Sequence, residues 1–336
     1  MAEADRRSSR DLKAGLRKAG LSSGVIDAAW PSWWTTAAEG SPSAQAELRF
    51  ALARKLGLSA PALMGDRVDF VWKDEARFKH LIRDDQLGQS VLASFAVSVG
   101  RLALLGSQDT LLPSLTAAVL RATLLKNHEY VDLRSLLATC WAIGIPVLSL
   151  RIFPLDNHKG MHAMAVRSQH RFAILLGRDA SYPAPIAFDL AHEIGHIMLG
   201  HLANAAALID DGDRLSSADL DPEETTADAF ALELLTGQQR PDIRINIASF
   251  GGRQLSRAVR SAGKARRIEP GTLALCAAYQ TNNWAAGMAA LKHIYDEAKP
   301  VWKEVNDVAA REIDWDQTGH DAAEFLQEVM GISNVA

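Results

Sequence analysis

His192-Glu193-Ile194-Gly195-His196 is the stretch of this chain whose residue types and spacing carry the most chemistry. Two histidines at i and i+4 project from the same side of a helix one turn apart, so both imidazoles can reach one small cation. Glu193 lies about 100° round the helix from His192. From there it can flank the cation and take a proton from a bound water instead of ligating. This H-E-x-x-H order suits zinc held by two histidines, with the glutamate as general base. Such a centre needs a third protein ligand and an open fourth position. Six residues after His196 the chain has Leu202, not a histidine. His201 falls about 140° off the metal face and reads as a helix-end or loop histidine. The remaining source is a carboxylate from a second helix.

Asp221-Pro222-Glu223-Glu224 has the make-up of a helix start, with a capping aspartate, proline at the first position and acids in the first turn. Ala227, Phe230, Ala231 and Leu234 supply its buried stripe. Glu223 and Glu224 both border that stripe, and periodicity does not separate them. Glu224 and Asp228 stand one turn apart, which lets one ligate while the other orients a ligand histidine. The rival reading has Glu224 closing a capping box with Asp221; the histidine pair upstream favours the ligand.

These side chains need a scaffold. Residues 185–199 form a helix whose apolar stripe is Ala187, Leu190, Ala191, Ile194, Ile197 and Met198, with Gly200 beyond its end. Residues 145–153 are β-rich, with Pro146 confined to the start. Residues 161–167 and 171–177 read as a hairpin turning at Ser168-Gln169-His170. As a sheet edge, the second of these strands is a natural partner for an extended substrate. Residues 90–105, 116–125 and 132–143 read as helices, the last stopped by Gly144. Helices followed by a small antiparallel sheet and a further helix argue for an α+β unit.

The segment HEIGHIMLGH followed by EETTADAFALELL resembles the ImmA/IrrE family of metallo-endopeptidases, which pair HExxH with a downstream helix of the form E-x-x-A-(D/N)-x-F-A. That second motif falls on Glu224, Ala227, Asp228, Phe230 and Ala231, and the GIPVLSL segment with its following hairpin is also similar. The resemblance covers roughly residues 130–240. It implies a zincin-like fold, Zn²⁺ held by His192, His196 and Glu224, and Glu193 as catalytic base; with Glu224 as ligand, the spacing leaves Asp228 to orient a ligand histidine. Where many members continue Leu-Met-Pro, this chain has Leu235-Thr236-Gly237, a departure that bears on the substrate wall and not on the ligands. The chemistry implied is peptide hydrolysis by a water acidified on zinc, with Glu193 carrying its proton to the leaving nitrogen. Tyr182 and His162 are the candidate oxyanion donors.

The flanks read differently. Residues 1–84 look helical, slightly basic and rich in tryptophan (Trp30, Trp33, Trp34, Trp72). Within them, residues 44–56, the Gly57-Leu58-Ser59 connection and a short helix with Pro61 in its first turn resemble part of a helix-turn-helix module. Residues 203–220 read as a loop that can line the cleft, with its acids Asp210, Asp211 and Asp213 solvated. Arg253, Arg257, Arg260 and Lys264 form a basic helical stripe, followed by Arg266 and Arg267, that suits phosphate or balances the acids before it. Residues 271–279 and 284–295 look like buried helices. Asp314, Asp316, Asp321, Glu324 and Glu328 mark a solvated helical surface.

Length and composition set bounds on all this. A chain of 336 residues makes about two domains, or three if one is small. We divide it at 1–84, 85–240 and 241–336. An apolar share of 48% with 23% charged residues excludes wholesale disorder, and a net charge of −4 excludes a chain basic throughout. Cys140 and Cys276 form no CxxC pair, which excludes a thiolate cluster and fits a reducing compartment. The first twenty residues lack the apolar core of a signal peptide, and residues 90–106, interrupted by Arg101, read as a buried helix and not a membrane span. The expectation is a cytoplasmic zinc endopeptidase acting on a protein substrate such as a transcriptional regulator or antitoxin. DNA is a candidate partner, through the N-terminal region or the Arg253/Arg257/Arg260 stripe, and no membrane is involved. The alternative is a DNA-binding regulator whose peptidase-like domain serves as sensor or scaffold.

Overall fold

In the computed structural model, which describes residues 8–73, 76–79, 86–156, 161–211, 221–243 and 251–332, the first helices are each begun by a serine. Ser8, Ser22 and Ser41 accept a main-chain N–H at the starts of α1 (Ser9–Lys18), α2 (Ser23–Ala29) and α3 (Pro42–Leu56), satisfying donors the helix leaves open. α3 stops at Gly57, whose φ of 68° is left-handed. A side chain there would also run into the main chain of Ser94, so this turn needs glycine twice over. Ser59 then caps α4 (Ala60–Met64), a helix of only five residues.

The chain continues through β1 (Ala76–Lys79), α5 (Gln86–Leu105), α6 (Ala117–Leu124), α7 (Leu133–Ala142), β2 (Val147–Ser149), β3 (Met161–Ser168) and β4 (Arg171–Leu176). α8 (Pro183–Met198), β5 (Ala207–Asp211) and α9 (Pro222–Thr236) follow, then α10 (Gly252–Arg266), α11 (Pro270–Thr281), α12 (Trp284–Ile294), α13 (Val301–Glu312), α14 (Trp315–Thr318) and α15 (His320–Met330). The architecture is α+β, with a small five-stranded sheet and helical flanks.

The strands lie in the order β1-β5-β3-β4-β2. β3 pairs antiparallel with β4 and with β5, while the two outer strands join parallel, β1 to β5 and β2 to β4. The sheet is thus mixed, where a purely antiparallel one was expected. The parallel neighbours are far apart in sequence, and no local pattern announces them. Two strands also lie where none was expected: β1 in the stretch read as helical, and β5 at the start of the loop 203–220. Each is four or five residues long, too short to display alternation.

Both faces of the sheet are covered, so successive residues enter different cores. Met164, Val166, Leu175 and Ile209 face α5 and the N-terminal helices. Ala163, Ala165, Ile174, Leu176 and Leu208 face α8, α9 and α7. The first core holds Leu16, Leu52, Phe95 and, from the far end of the chain, Phe325 and Val329. Packing therefore crosses the divisions drawn at 84 and 240. α10–α12 gather around a core of their own that includes Tyr182. Among the described residues, α5 is the one helix long and apolar enough to cross a membrane, and 78% of its apolar window is buried inside the protein.

Candidate metal centre

α8 is the helix that carries HEIGH. Pro183 occupies its first turn, where a missing N–H costs nothing, and Gly200, with φ of 77°, turns the chain away beyond its end. The sheet covers one side of α8 and α9 another, so its polar residues are enclosed: His192, Glu193 and His196 are 0%, 1% and 2% exposed. α9 approaches over Gly195. A Cβ at that position would sit 3.1 Å from Ala227 O and 3.2 Å from Phe230 Cβ, so the absence of a side chain lets the two helices close. Asp221 caps α9 by accepting from Glu223 N, with Pro222 in the first turn. At the other end, Arg121 of α6 donates to the carbonyls of Leu234 and Leu235, meeting acceptors that the helix end leaves open.

The docking brings Glu224 onto the histidines. Glu224 Oε2 lies 3.2 Å from His192 Nε2, Glu224 Oε1 lies 3.3 Å from His196 Nε2, and the two Nε2 atoms are 2.8 Å apart. The ring orientations are held from behind. His192 Nδ1 meets Asp228 Oδ1 at 2.8 Å, and His196 Nδ1 meets His201 Nδ1 at 2.8 Å. A carboxylate only accepts, so His192 donates from Nδ1 to Asp228. Two imidazole nitrogens and a carboxylate, buried and converging, are a donor set that can hold a metal ion. Burial, aided by the positive charge of His192, lowers the His196 pKa, against the raising pull of Glu224. For Glu224 burial acts upward, but hydrogen bonds to His192 and His196 override it and hold the carboxyl well below its usual range. Neutral imidazole and ionised carboxylate are the forms that bind a metal.

The ambiguity between the two glutamates is resolved by β1. Glu223 turns outward and pairs with Arg77, while Glu224 turns inward to the histidines and closes no capping box with Asp221. Asp228, one turn beyond Glu224, meets His192 from the side away from Glu224.

Other expectations are corrected. β4 is not a sheet edge, because β2 covers its outer side. Among the described residues the edge beside the centre is β1, whose Arg77 also donates to His201 O. Tyr182 precedes α8 by one residue, so about 15 Å of helix separates it from His192. It stacks on Tyr295, 5.6 Å between rings, in the core around α10–α12. His162 lies on β3 with its carbonyl accepting from Gly177 and Arg178. The basic stripe is partly committed: Arg260 donates to His293 O and Ile294 O at the end of α12, and Arg267 to Leu125 O and His128 O. Arg253, Arg257, Lys264 and Arg266 are exposed. The acids of the 203–220 loop from residue 212 onward lie outside the described residues.

Sequence reasoning passed over Arg77, Gly195 and the contact made by His201. A glycine inside a helix pattern is the one local signal among these, since it marks close approach.

Residues 179–299 match the family model Peptidase U49. The matched stretch, just over a third of the chain, contains α8 and α9 whole and runs through α12. A peptidase family therefore matches the part of the chain that builds the buried His192-His196-Glu224 group. No curated protein and no solved structure matches the chain.

Proposed function

We propose that this protein is a zinc-dependent endopeptidase in which His192, His196 and Glu224 hold the metal and Glu193 is the general base. The observation that carries the reading is the donor geometry: both Nδ1 atoms are engaged from behind, and both Nε2 atoms meet the Glu224 carboxylate within 3.3 Å. Zinc fits such a nitrogen and oxygen set, and when bound it would supply Lewis acidity and an acidified water. The protein's own groups do the rest. Asp228 fixes the His192 ring. Glu193, enclosed beside the ligands, takes the proton of the attacking water and hands it to the leaving nitrogen of the peptide. The outer edge of β1, tied through Arg77 to Glu223, offers main-chain groups along which an extended substrate can be aligned.

The motif pair His192-Glu193-His196 and Glu224-Asp228, with its likeness to ImmA/IrrE, supports a substrate of regulatory kind, a repressor or antitoxin. A cytoplasmic site of action fits the cysteines: both are free, and burial raises the thiol pKa of Cys140 and of Cys276 to about 12, so neither has the thiolate character that oxidation and metal binding require.

The rival reading, a DNA-binding regulator, has the exposed Arg253, Arg257, Lys264 and Arg266 in its favour. Against it stand the commitment of Arg260 to α12 and the length of α4, one and a half turns, short for a recognition helix. The test that separates them compares cellular proteins cut by the wild type and by Glu193→Gln, with metal content measured alongside. We expect zinc in both and cleavage only by the wild type, with a rate loss of about 10²–10⁴. Cleavage unchanged in Glu193→Gln overturns the assignment of the base. Salt-sensitive DNA binding that Arg253→Ala with Arg257→Ala abolishes, without any cleavage, favours the regulator.

A further inference from the structure

The hydrogen bonds leading away from His196 have a direction that can be read from the end farthest from the ligands. Thr226, on α9, places its hydroxyl 3.1 Å from Pro222 O and 3.0 Å from Glu223 O, and donates its hydrogen there. The same Oγ1 lies 3.4 Å from His201 Nε2. A hydroxyl has one hydrogen, so towards His201 it accepts, and Nε2 of His201 carries the proton. A neutral imidazole protonated at Nε2 is an acceptor at Nδ1, and that atom is 2.8 Å from His196 Nδ1. His196 therefore donates from Nδ1. Its Nε2, 3.3 Å from Glu224 Oε1 and 2.8 Å from His192 Nε2, is then the nitrogen whose lone pair a cation would take.

His201 is itself well anchored. Its main-chain N–H donates to His196 O at 3.0 Å, and its carbonyl accepts from Arg77 at 3.2 Å. The left-handed Gly200 supplies the turn that folds it back against α8. One residue thus touches the end of α8, the first turns of α9 and the edge strand β1.

We propose that His201 is a positioning residue for the metal centre, holding His196 in the tautomer and ring orientation that present Nε2 to the cation. It does for His196 what Asp228 does for His192, with an imidazole nitrogen as acceptor in place of a carboxylate. The inference rests on the reading of His192, His196 and Glu224 as metal ligands.

The test uses the full chain loaded with zinc or cobalt(II), and the variants His201→Phe and His201→Asn. Phenylalanine keeps the ring and removes the acceptor; asparagine restores an acceptor near the place of Nδ1. Zinc affinity from competition with a chelator should fall about 10- to 100-fold in His201→Phe. His201→Asn should recover most of it, and the cobalt absorption spectrum should change in the same order. Thermal unfolding of the metal-free proteins should agree across the three. Ring ¹⁵N resonances of the loaded wild type should show His196 protonated at Nδ1. Affinity and spectrum unchanged in His201→Phe overturn the inference while leaving the metal centre standing. So does asparagine as weak as phenylalanine, since the ring's bulk would then be what matters. If His201→Phe fails to fold, the resonances decide, and His196 without a proton at Nδ1 overturns it. A wild type that takes up neither metal overturns the centre and this inference together.

Discussion

Asp228 Oδ1 lies 2.8 Å from His192 Nδ1, and it projects from the same helix that places Glu224 against both Nε2 atoms one turn earlier. One helix thus delivers both the carboxylate that faces the two Nε2 atoms and the one that holds the His192 ring from behind. Four residues of α-helix advance about 6 Å, so the spacing between the two carboxylates is set by α9 itself and not by a loop. What remains to be fixed is how α9 docks on α8, and the bare surface of Gly195 governs that.

Removing the Asp228 carboxylate should therefore weaken metal binding without unmaking the fold. Its side chain is 43% exposed, so little packing is lost. Asp228→Ala should lower zinc affinity about 10- to 100-fold, and Asp228→Asn, which keeps an acceptor, should lose less. Chelator competition on the purified proteins measures both. Wild-type affinity in Asp228→Ala would remove the orienting role.

Gly195→Ala sets two effects against each other. Alanine in a helix interior is favoured over glycine by about 1 kcal/mol. Its Cβ, however, would meet Ala227 O at 3.1 Å and Phe230 Cβ at 3.2 Å, and α9 must retreat by tenths of an ångström. Ligand distances in a metal site tolerate only about 0.2 Å. Stability should thus change by less than about 1 kcal/mol while zinc affinity falls about tenfold. Denaturant unfolding of the metal-free protein, paired with chelator competition, reads the two apart.

The convergence of His192, His196 and Glu224 was legible in the sequence because helical spacing fixes what it encodes. His192 and His196 share a face by periodicity, and E-x-x-x-D on a capped helix put Glu224 and Asp228 on one side of α9. Where a choice depended on a third element, sequence was mute. Glu223 differs from Glu224 only in having Arg77 opposite it, and Arg77 sits on a four-residue strand about 146 positions away. The sheet failed for the same reason: β1 and β2 pair in parallel with strands that no local pattern links to them, which made β4 look like an edge. Its angle set His201 aside as a ligand, but angle says nothing of a ring turned back by the left-handed Gly200.

Metal retention should depend on pH with a definite sign. The ordinary histidine value is 6.5, and burial, followed by the charge of His192, lowers that of His196 in the folded protein. Below 6.5 the unfolded chain therefore binds a proton that the folded protein still resists. The stabilisation from neutral His196 is present above 6.5 and is lost as pH falls from 6.5 through the lowered folded value. Zinc needs the same neutral ring. Metal-free stability should begin to fall below about 6.5, while zinc content after equilibration against a fixed chelator should stay level from pH 8 to below 6.5 and fall only as pH passes the lowered folded value. A decline already complete at pH 7 would contradict the lowered His196.

Asn306 offers a test of the scaffold that leaves the chemistry alone. It is fully buried on α13 beside β2. Its Oδ1 accepts from Ser149 N at 2.8 Å, and its Nδ2 donates to Ser149 O at 2.8 Å and Met330 O at 2.6 Å. The amide thus stands in for a strand neighbour along β2 and ties the end of α15 to the sheet. Asn306→Leu would leave a buried N–H and two carbonyls to be satisfied elsewhere, at about 1–3 kcal/mol each where nothing replaces the bond. The expected loss is about 3–5 kcal/mol in urea unfolding of the metal-free protein. Asn306→Asp has nearly the same shape and keeps the acceptor for Ser149 N, but it has no hydrogens for the two carbonyls and, when ionised, buries a charge beside them. It should be destabilised at neutral pH and partly recover as acid protonates it. β2 lies at the opposite edge of the sheet from β1 and its Arg77, and Asn306 touches neither α8 nor α9 through its amide, so zinc affinity measured well below the unfolding transition should match the wild type in both variants. A drop in affinity there would mean that the far edge of the sheet, and not only the contact between α8 and α9, sets the ligand geometry.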